Sequence, residues 1–293
     1  MQLVVLMKQT FDTEEKIELV NGTADEQNVK FIINPYDEYA LEEALRLREA
    51  HGGKVIVVSC GSERSIEALR TALAMGADEA VLLSADGLQG DDGYAVAAAL
   101  AKVVEQLKPD LLLAGLFAVD RGAGSVALQI AERLGLPQAA AALKVEVRDA
   151  GGSVAARASG GATGGSAGNG NVHSSGASWA NGGGVKQVAV VERDTEWGVE
   201  TVEVPLPALI TAQQGLNEPR YPSLPGIMKA KKKPLKQISA SELGLTAAEL
   251  SPRTERVALL APPVRAAGRK LGGTPQEQAA QLADLLQREA KLF

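Results

Sequence analysis

Cysteine is almost absent from this sequence: Cys60 stands alone. A single thiol excludes an intrachain disulfide framework and fits a reducing compartment, so a cytoplasmic protein is expected. Histidine is nearly as scarce. His51 falls at the end of a predicted helix and His173 in a glycine-rich stretch, both away from the candidate pocket described below. The motifs contain no Ser-His-Asp set, no metal-ligand cluster and no P-loop lysine. That argues against hydrolysis and leaves no catalytic residue or metal ligand to name. Aromatic residues make up only 3%. No apolar run is long enough to span a membrane. The opening MQLVVLMKQT has too short an apolar stretch for a signal peptide and reads as a first strand. The formal net charge of −6 excludes a general nucleic-acid binder.

What is present is aliphatic. Hydrophobic residues are 45% of the 293, mostly Ala, Leu and Val. That mass suffices for one large domain or two modest ones and suits helices packed on a parallel sheet. The organising stretch is Leu111–Leu134. It opens with the apolar run Leu111-Leu112-Leu113-Ala114, short enough for a buried parallel strand, and Gly115 ends it. Ala123, Val126, Ala127, Ile130, Ala131 and Leu134 then recur at helical spacing. Between them stands Asp120-Arg121-Gly122-Ala123-Gly124-Ser125. Two glycines permit close backbone approach to a ligand, and a helix start favours an anion. This join is either a phosphate cradle at the carboxyl end of a strand or an ordinary turn. Taken alone it favours the turn, because the third glycine of the dinucleotide fingerprint is missing.

The flanking chain repeats the alternation. Leu3–Met7 reads as a strand and Lys8–Asp12 as a loop, with Lys8 either solvated or facing a ligand. Phe31-Ile32-Ile33 leads into Asn34-Pro35-Tyr36-Asp37-Glu38, a helix start with Asn34 as cap and Pro35 at the first helical position. That helix runs through Leu41, Ala44, Leu45 and Leu47 to Gly52-Gly53. Lys54–Ser59 is a buried strand, Ser62 a cap for the helix that ends at Gly76, Ala80–Leu83 a strand and Tyr94–Leu107 an Ala-rich helix. Repeated four times, this is the pattern of an α/β protein with an open, doubly wound parallel sheet. Leu143–Val147, Gln187–Val191 and Val199–Val204 alternate as strands, and Leu209-Ile210-Thr211 is a further apolar run. Residues 151–184 are low-complexity Gly, Ala, Ser and Asn, read as a disordered insertion in a hairpin turn. Gly215–Pro234 reads as an exposed loop followed by a basic segment, Lys229, Lys231, Lys232 and Lys233, beside the apolar Leu224, Ile227 and Met228. An apolar anchor rimmed by charge suits a protein-docking surface. Gln276–Leu292 is an amphipathic helix with Ala279, Leu282, Leu285, Leu286 and Ala290 on one stripe, which packs on this chain or on a partner.

Several fragments, in order, resemble the beta subunit of electron-transferring flavoproteins. They are Asn34–Glu38, Arg70–Asp78, Ala118-Val119-Asp120, and above all Asn217–Pro222 through Ile227–Lys233, and the resemblance runs from residue 1 to about 240. It implies a Rossmann-like nucleotide-binding domain over 1–240 and a C-terminal arm, 241–293, that packs on a partner alpha subunit. The alpha subunit would hold most of a redox-active FAD, and this subunit an AMP without redox chemistry. The pair would carry electrons from acyl-CoA dehydrogenases towards a membrane quinone oxidoreductase. Carried over by position, the AMP contacts fall at Leu6, Asn34, Cys60, Gly115, Asp120, Arg121, Gly122, Ala123, Gly124, Ser125 and Val126. Thr13 and Tyr36 would approach the flavin, and Asp194 an arginine of the alpha subunit. The docking loop would use Tyr221, Leu224, Ile227, Met228, Lys229 and Lys232. Arg121, Trp197 and the insertion at 151–184 depart from the family's pattern. Two other readings stand beside this one. One is an electron-bifurcating version with a second FAD in place of AMP and NADH as donor. The other is a stand-alone adenine-nucleotide-binding or hydrolysing α/β protein.

Overall fold

A computed structural model describes residues 1–26, 29–88, 92–150, 186–265 and 267–292. The first half alternates strand and helix. In order come β1 (Gln2–Leu6), β2 (Gln9–Phe11), β3 (Leu19–Val20), β4 (Thr23–Ala24), β5 (Phe31–Ile33), α1 (Pro35–His51), β6 (Lys54–Gly61), α2 (Ser65–Met75), β7 (Glu79–Ser84), α3 (Gly93–Leu107), β8 (Leu111–Gly115) and α4 (Val126–Leu134). The second half is strand-rich, with β9 (Gln138–Asp149), β10 (Gln187–Thr195), β11 (Gly198–Pro205) and β12 (Ala208–Ala212). It closes with α5 (Leu224–Ala230), β13 (Leu235–Ile238), α6 (Ala247–Leu250) and α7 (Pro275–Arg288).

Nine strands form one sheet in the order β11-β10-β9-β12-β8-β1-β6-β7-β13. Every pairing from β9 to β13 across this order is parallel. The expected α/β architecture, a large and mostly parallel sheet flanked by helices, is therefore present. The antiparallel β9, β10 and β11 extend the same sheet.

Alternation along each strand sorts side chains to two cores. Leu3, Val5, Val55, Val57, Leu111 and Leu113 face α1 and α2. Val4, Leu6, Ile56, Val58, Leu112 and Ala114 face α3 and α4. Strands covered on both faces must be apolar throughout, which is why β8 reads as an unbroken run and is buried at every position. The chain leaves β1 towards one core and β8 towards the other. These neighbouring strands therefore part at their carboxyl ends, where a crevice opens in sheets of this kind.

Local expectations needed correction in several places. The Lys8–Asp12 loop contains β2, which pairs antiparallel with β5 outside the main sheet, secured by Phe11 against Phe31 at 4.9 Å between ring centroids. Asn34 stands at the cap position of α1, but its side chain makes no cap bond. Ser62 does not cap α2; Arg64 precedes that helix, again without a side-chain cap. The helix after β8 begins at Val126 rather than Ala123, because Gly122 and Gly124 have φ of 66° and 58°. The predicted strand Leu143–Val147 is longer, with the left-handed Ala141 inside it (φ 59°). The Gly215–Pro234 loop contains α5. The last helix stops at Arg288, leaving Ala290 beyond it. The reading of 151–184 as disordered falls wholly on residues outside the described ones.

The main unit comprises Met1–Glu18 and Ala24–Val257. The second, small unit takes in Leu19–Thr23 and the chain beyond Val257. Its helix α7 starts with a capping box between Thr274 and Glu277 and has no buried residue.

Candidate functional site

At the carboxyl ends of β1, β6 and β8 lies a cavity of about 410 Å3. Leu6 of β1 and Met7 just after it close one side, Val58 and Cys60 come from β6, and Ala114 and Gly115 from β8. Val96 and Leu100 of α3 wall the far side, and the β8–α4 loop supplies Arg121, Ala123, Gly124, Ser125 and Val126. Of the sequence-expected contacts, Leu6, Cys60, Gly115, Arg121, Ala123, Gly124, Ser125 and Val126 therefore meet around one space. Asn34, Asp120 and Gly122 do not line it; they shape its wall.

The wall is tied down at three points. The Asn34 amide donates to the Phe117 carbonyl at 2.9 Å, and the Val119 N–H donates back to the Asn34 side-chain oxygen at 3.1 Å. The side chain that fails to cap α1 thus spans to the β8–α4 loop. The Gly115 N–H donates to Asp37 at 3.0 Å, and the Lys8 N–H to the other oxygen of the same carboxyl at 2.7 Å. The Lys8 ammonium pairs with Asp120 at 2.5 Å. Gly115 cannot be another residue: a Cβ there would sit 2.3 Å from Asp37 Oδ1 and 2.7 Å from Tyr36 Cβ.

Beyond Gly122 the loop presents open donors. Among the described residues, no hydrogen bond takes up the N–H groups of Ala123, Gly124, Ser125 or Val126. Ser125 precedes α4 without capping it. A helix start with orphan N–H groups, preceded by left-handed glycines, is a concave donor surface for an anion. The apolar walls opposite suit a flat ring. A mononucleotide combines these two needs.

Asp37 is the site residue that the sequence reading missed, where it stands only as part of the helix start Asn34–Glu38. It is buried, and burial pushes its pKa up to about 7 against the donors from Asn34, Lys8 and Gly115. Burial also pushes the Cys60 thiol up to about 12. That thiol stays neutral and serves as wall, not nucleophile.

Other expected residues lie outside the lining. Tyr36 packs its ring on Phe117, 4.3 Å between centroids. Thr13 is exposed in the turn after β2. Asp194 is exposed on β10, paired with Val199 near the hairpin tip where Trp197 is 96% exposed.

A second surface is centred on α5. Tyr221, Leu224, Ile227 and Met228 are all exposed, Leu224 at 73%, with Lys229 and Lys232 exposed beside them. The approach to this helix is pinned to α1. Arg220 makes a two-pronged pair with the buried Glu42, at 2.8 and 3.0 Å, and reaches Glu49 at 2.6 Å. The Asn217 amide donates to the Tyr39 carbonyl and to Glu43, both at 3.0 Å. Burial raises the pKa of Glu43, while Arg220 holds Glu49 below the usual carboxylate range.

Comparison with known proteins adds an independent line. A family model described as electron transfer flavoprotein domain matches residues 21–164. The chain is 42% identical to the electron transfer flavoprotein subunit beta of Bacillus subtilis (strain 168), across the full length of both. It is 38% identical to the protein of the same description from Syntrophomonas wolfei, over 100% of this chain and 98% of the relative. The one from Bradyrhizobium diazoefficiens is 35% identical over 99% of each chain.

Proposed function

The chain belongs to the electron transfer flavoprotein beta-subunit family, and from that premise we propose that it pairs with an alpha subunit, binds one AMP and helps enclose the FAD of the pair. The flavin supplies the redox chemistry when bound, and AMP supplies none. This chain's own residues bind and orient. Open N–H groups from Ala123 to Val126 receive the single phosphate. Leu6, Val58, Val96 and Leu100 offer apolar surface to the base. Tyr36, supported by Phe117, and the exposed Thr13 face the flavin, and Asp194 meets the alpha subunit. The C-terminal arm packs on that partner, whose surface would cover the open stripe of α7. Electrons arrive from acyl-CoA dehydrogenases that dock on the α5 surface and leave towards a membrane quinone oxidoreductase.

The observation that carries the nucleotide reading is the cavity itself: about 410 Å3, with one anion cradle at one end. Ligand cavities run from about 300 to 1,000 Å3, and a space near the lower bound suits a mononucleotide. A second FAD would need room for a pyrophosphate and a further ring system. Denaturing the purified heterodimer and counting released cofactors by chromatography tests the reading. One FAD and one AMP are expected. Two FAD and no AMP would overturn it in favour of a bifurcating protein driven by NADH.

A further inference from the structure

We propose that Arg70 and Lys233 are positioning residues that hold α5 rigid for docking, by exchanging helix-end caps between α2 and α5. The inference rests on the docking role given above to Leu224 and its neighbours. Lys233 closes the lysine run, and its side chain turns inward, unlike the exposed Lys229, Lys231 and Lys232. Its ammonium donates to the Leu73 and Ala77 carbonyls at 2.9 and 2.6 Å, at the end of α2. Arg70, from the middle of α2, donates in return to the Ala230 carbonyl at 2.6 Å and the Lys233 carbonyl at 3.0 Å. Ala230 is the last residue of α5. The carboxyl end of α2 thus receives a cation from the turn after α5, and the carboxyl end of α5 one from α2, where the helix dipole favours a positive charge.

The two helices also touch closely. A Cβ on Gly226 would lie 2.4 Å from the Ala74 carbonyl oxygen, so the first turn of α5 rests directly on α2. Ser223 caps that turn through the Gly226 N–H at 3.1 Å. Such contacts are needed, because α5 has seven residues and an isolated helix shorter than about 12–15 residues is marginal in water. Its exposed residues Leu224 and Met228, like Tyr221 just before it, gain nothing from the core. The swapped caps therefore order the docking face before a partner arrives, which removes that entropy from the cost of association. Burial of the Lys233 amine, which lowers its pKa, agrees with a role inside the fold.

The test uses the purified heterodimer with a medium-chain acyl-CoA dehydrogenase and octanoyl-CoA as electron source. The variants are Lys233→Met, Arg70→Met and Gly226→Ala, with Lys233→Arg as the conservative replacement. Each of the first three is expected to raise the KM for the heterodimer about tenfold with kcat and flavin spectrum unchanged. Each should also speed amide exchange across 224–230 about tenfold while sparing α1. Lys233→Arg should restore both. Unchanged exchange in 224–230 overturns the proposal. So does faster exchange with unaltered KM, or a fall in kcat that tracks global melting. If the unaltered heterodimer accepts no electrons from the dehydrogenase, the docking reading fails, while the exchange measurement still decides whether the caps hold α5.

Discussion

Replacing Asp37 by Asn should alter the pH dependence of stability more than stability itself. The buried carboxyl has a pKa near 7 in the folded chain against 3.8 when unperturbed, with burial as the leading cause. A carboxyl whose folded pKa is raised favours folding while it is protonated. Its contribution is greatest below the unfolded value and is lost as pH rises towards the folded one. Ionisation over the whole interval would cost about 4 kcal/mol, and about 2.5 kcal/mol of that falls between pH 5 and pH 8. Asn cannot ionise, so the variant lacks this slope. It pays instead a constant cost of roughly 1–2 kcal/mol, because its amide nitrogen faces one of two N–H donors, on Lys8 or Gly115. By pH 5 ionisation of the unfolded carboxyl has already removed about 1.7 kcal/mol from wild type, so the two should be nearly equal there, and the variant should exceed wild type by about 2–3 kcal/mol at pH 8. With roughly 2–4 °C per kcal/mol for a domain of this size, the Tm of the variant relative to wild type should rise by about 5–10 °C over this range. Thermal unfolding of both heterodimers across pH 5–8 measures it, and taking the difference cancels every other titrating group. A gap that stays constant across this range would show that the Asp37 carboxyl ionises in the ordinary range, and the reasoning from burial would be wrong.

Other perturbations separate the two surfaces. Leu224→Ala should weaken dehydrogenase docking by about 2 kcal/mol, roughly thirtyfold in KM, with the flavin spectrum intact; equal kinetics would remove Leu224 as an anchor. Arg220→Ala leaves the buried Glu42 carboxylate with Arg46 at 3.5 Å and the backbone N–H of residue 220 at 3.2 Å, but without the two-pronged guanidinium. A loss of about 3 kcal/mol is expected in urea titration, and a change below 1 kcal/mol would mean the pair is inert. Gly124→Leu forces a side chain into the left-handed region at φ 58°, where strain costs about 1–2 kcal/mol, and places a Cβ 3.1 Å from the Leu116 carbonyl oxygen. Chromatography of the denatured variant should recover FAD without AMP. Deleting 158–183, which joins the paired strands β9 and β10, changes closure entropy by about 1 kcal/mol or less, so heterodimer yield and electron transfer should persist; loss of alpha-subunit binding would show that the segment works in assembly.

The architecture was legible because its signals are local and repeated. β1, β6 and β8 are buried on both faces, so each shows as an unbroken apolar run, and the helices between them show a 3.6-residue period. The carboxyl-end loop with Gly122 and Gly124 was legible for the same reason, since left-handed backbone and close approach leave a glycine behind. Three things were not. Asp37 looks like any acid in a first helical turn; only the meeting of β1, β8 and α1 buries it between the Lys8 and Gly115 N–H groups. Asn34 looks like a cap, but a loop more than eighty residues later takes both ends of its amide. Lys233 looks like the last of a solvated run, but the packing of α5 on α2 turns it towards carbonyls 156 and 160 residues away. Period and turn chemistry are written over a few neighbouring residues, and the sequence determined those by itself. Which polar group meets which partner depends on chain segments brought together across the sheet. Desolvation and cap geometry exist only after that meeting, so the tertiary structure alone decided them.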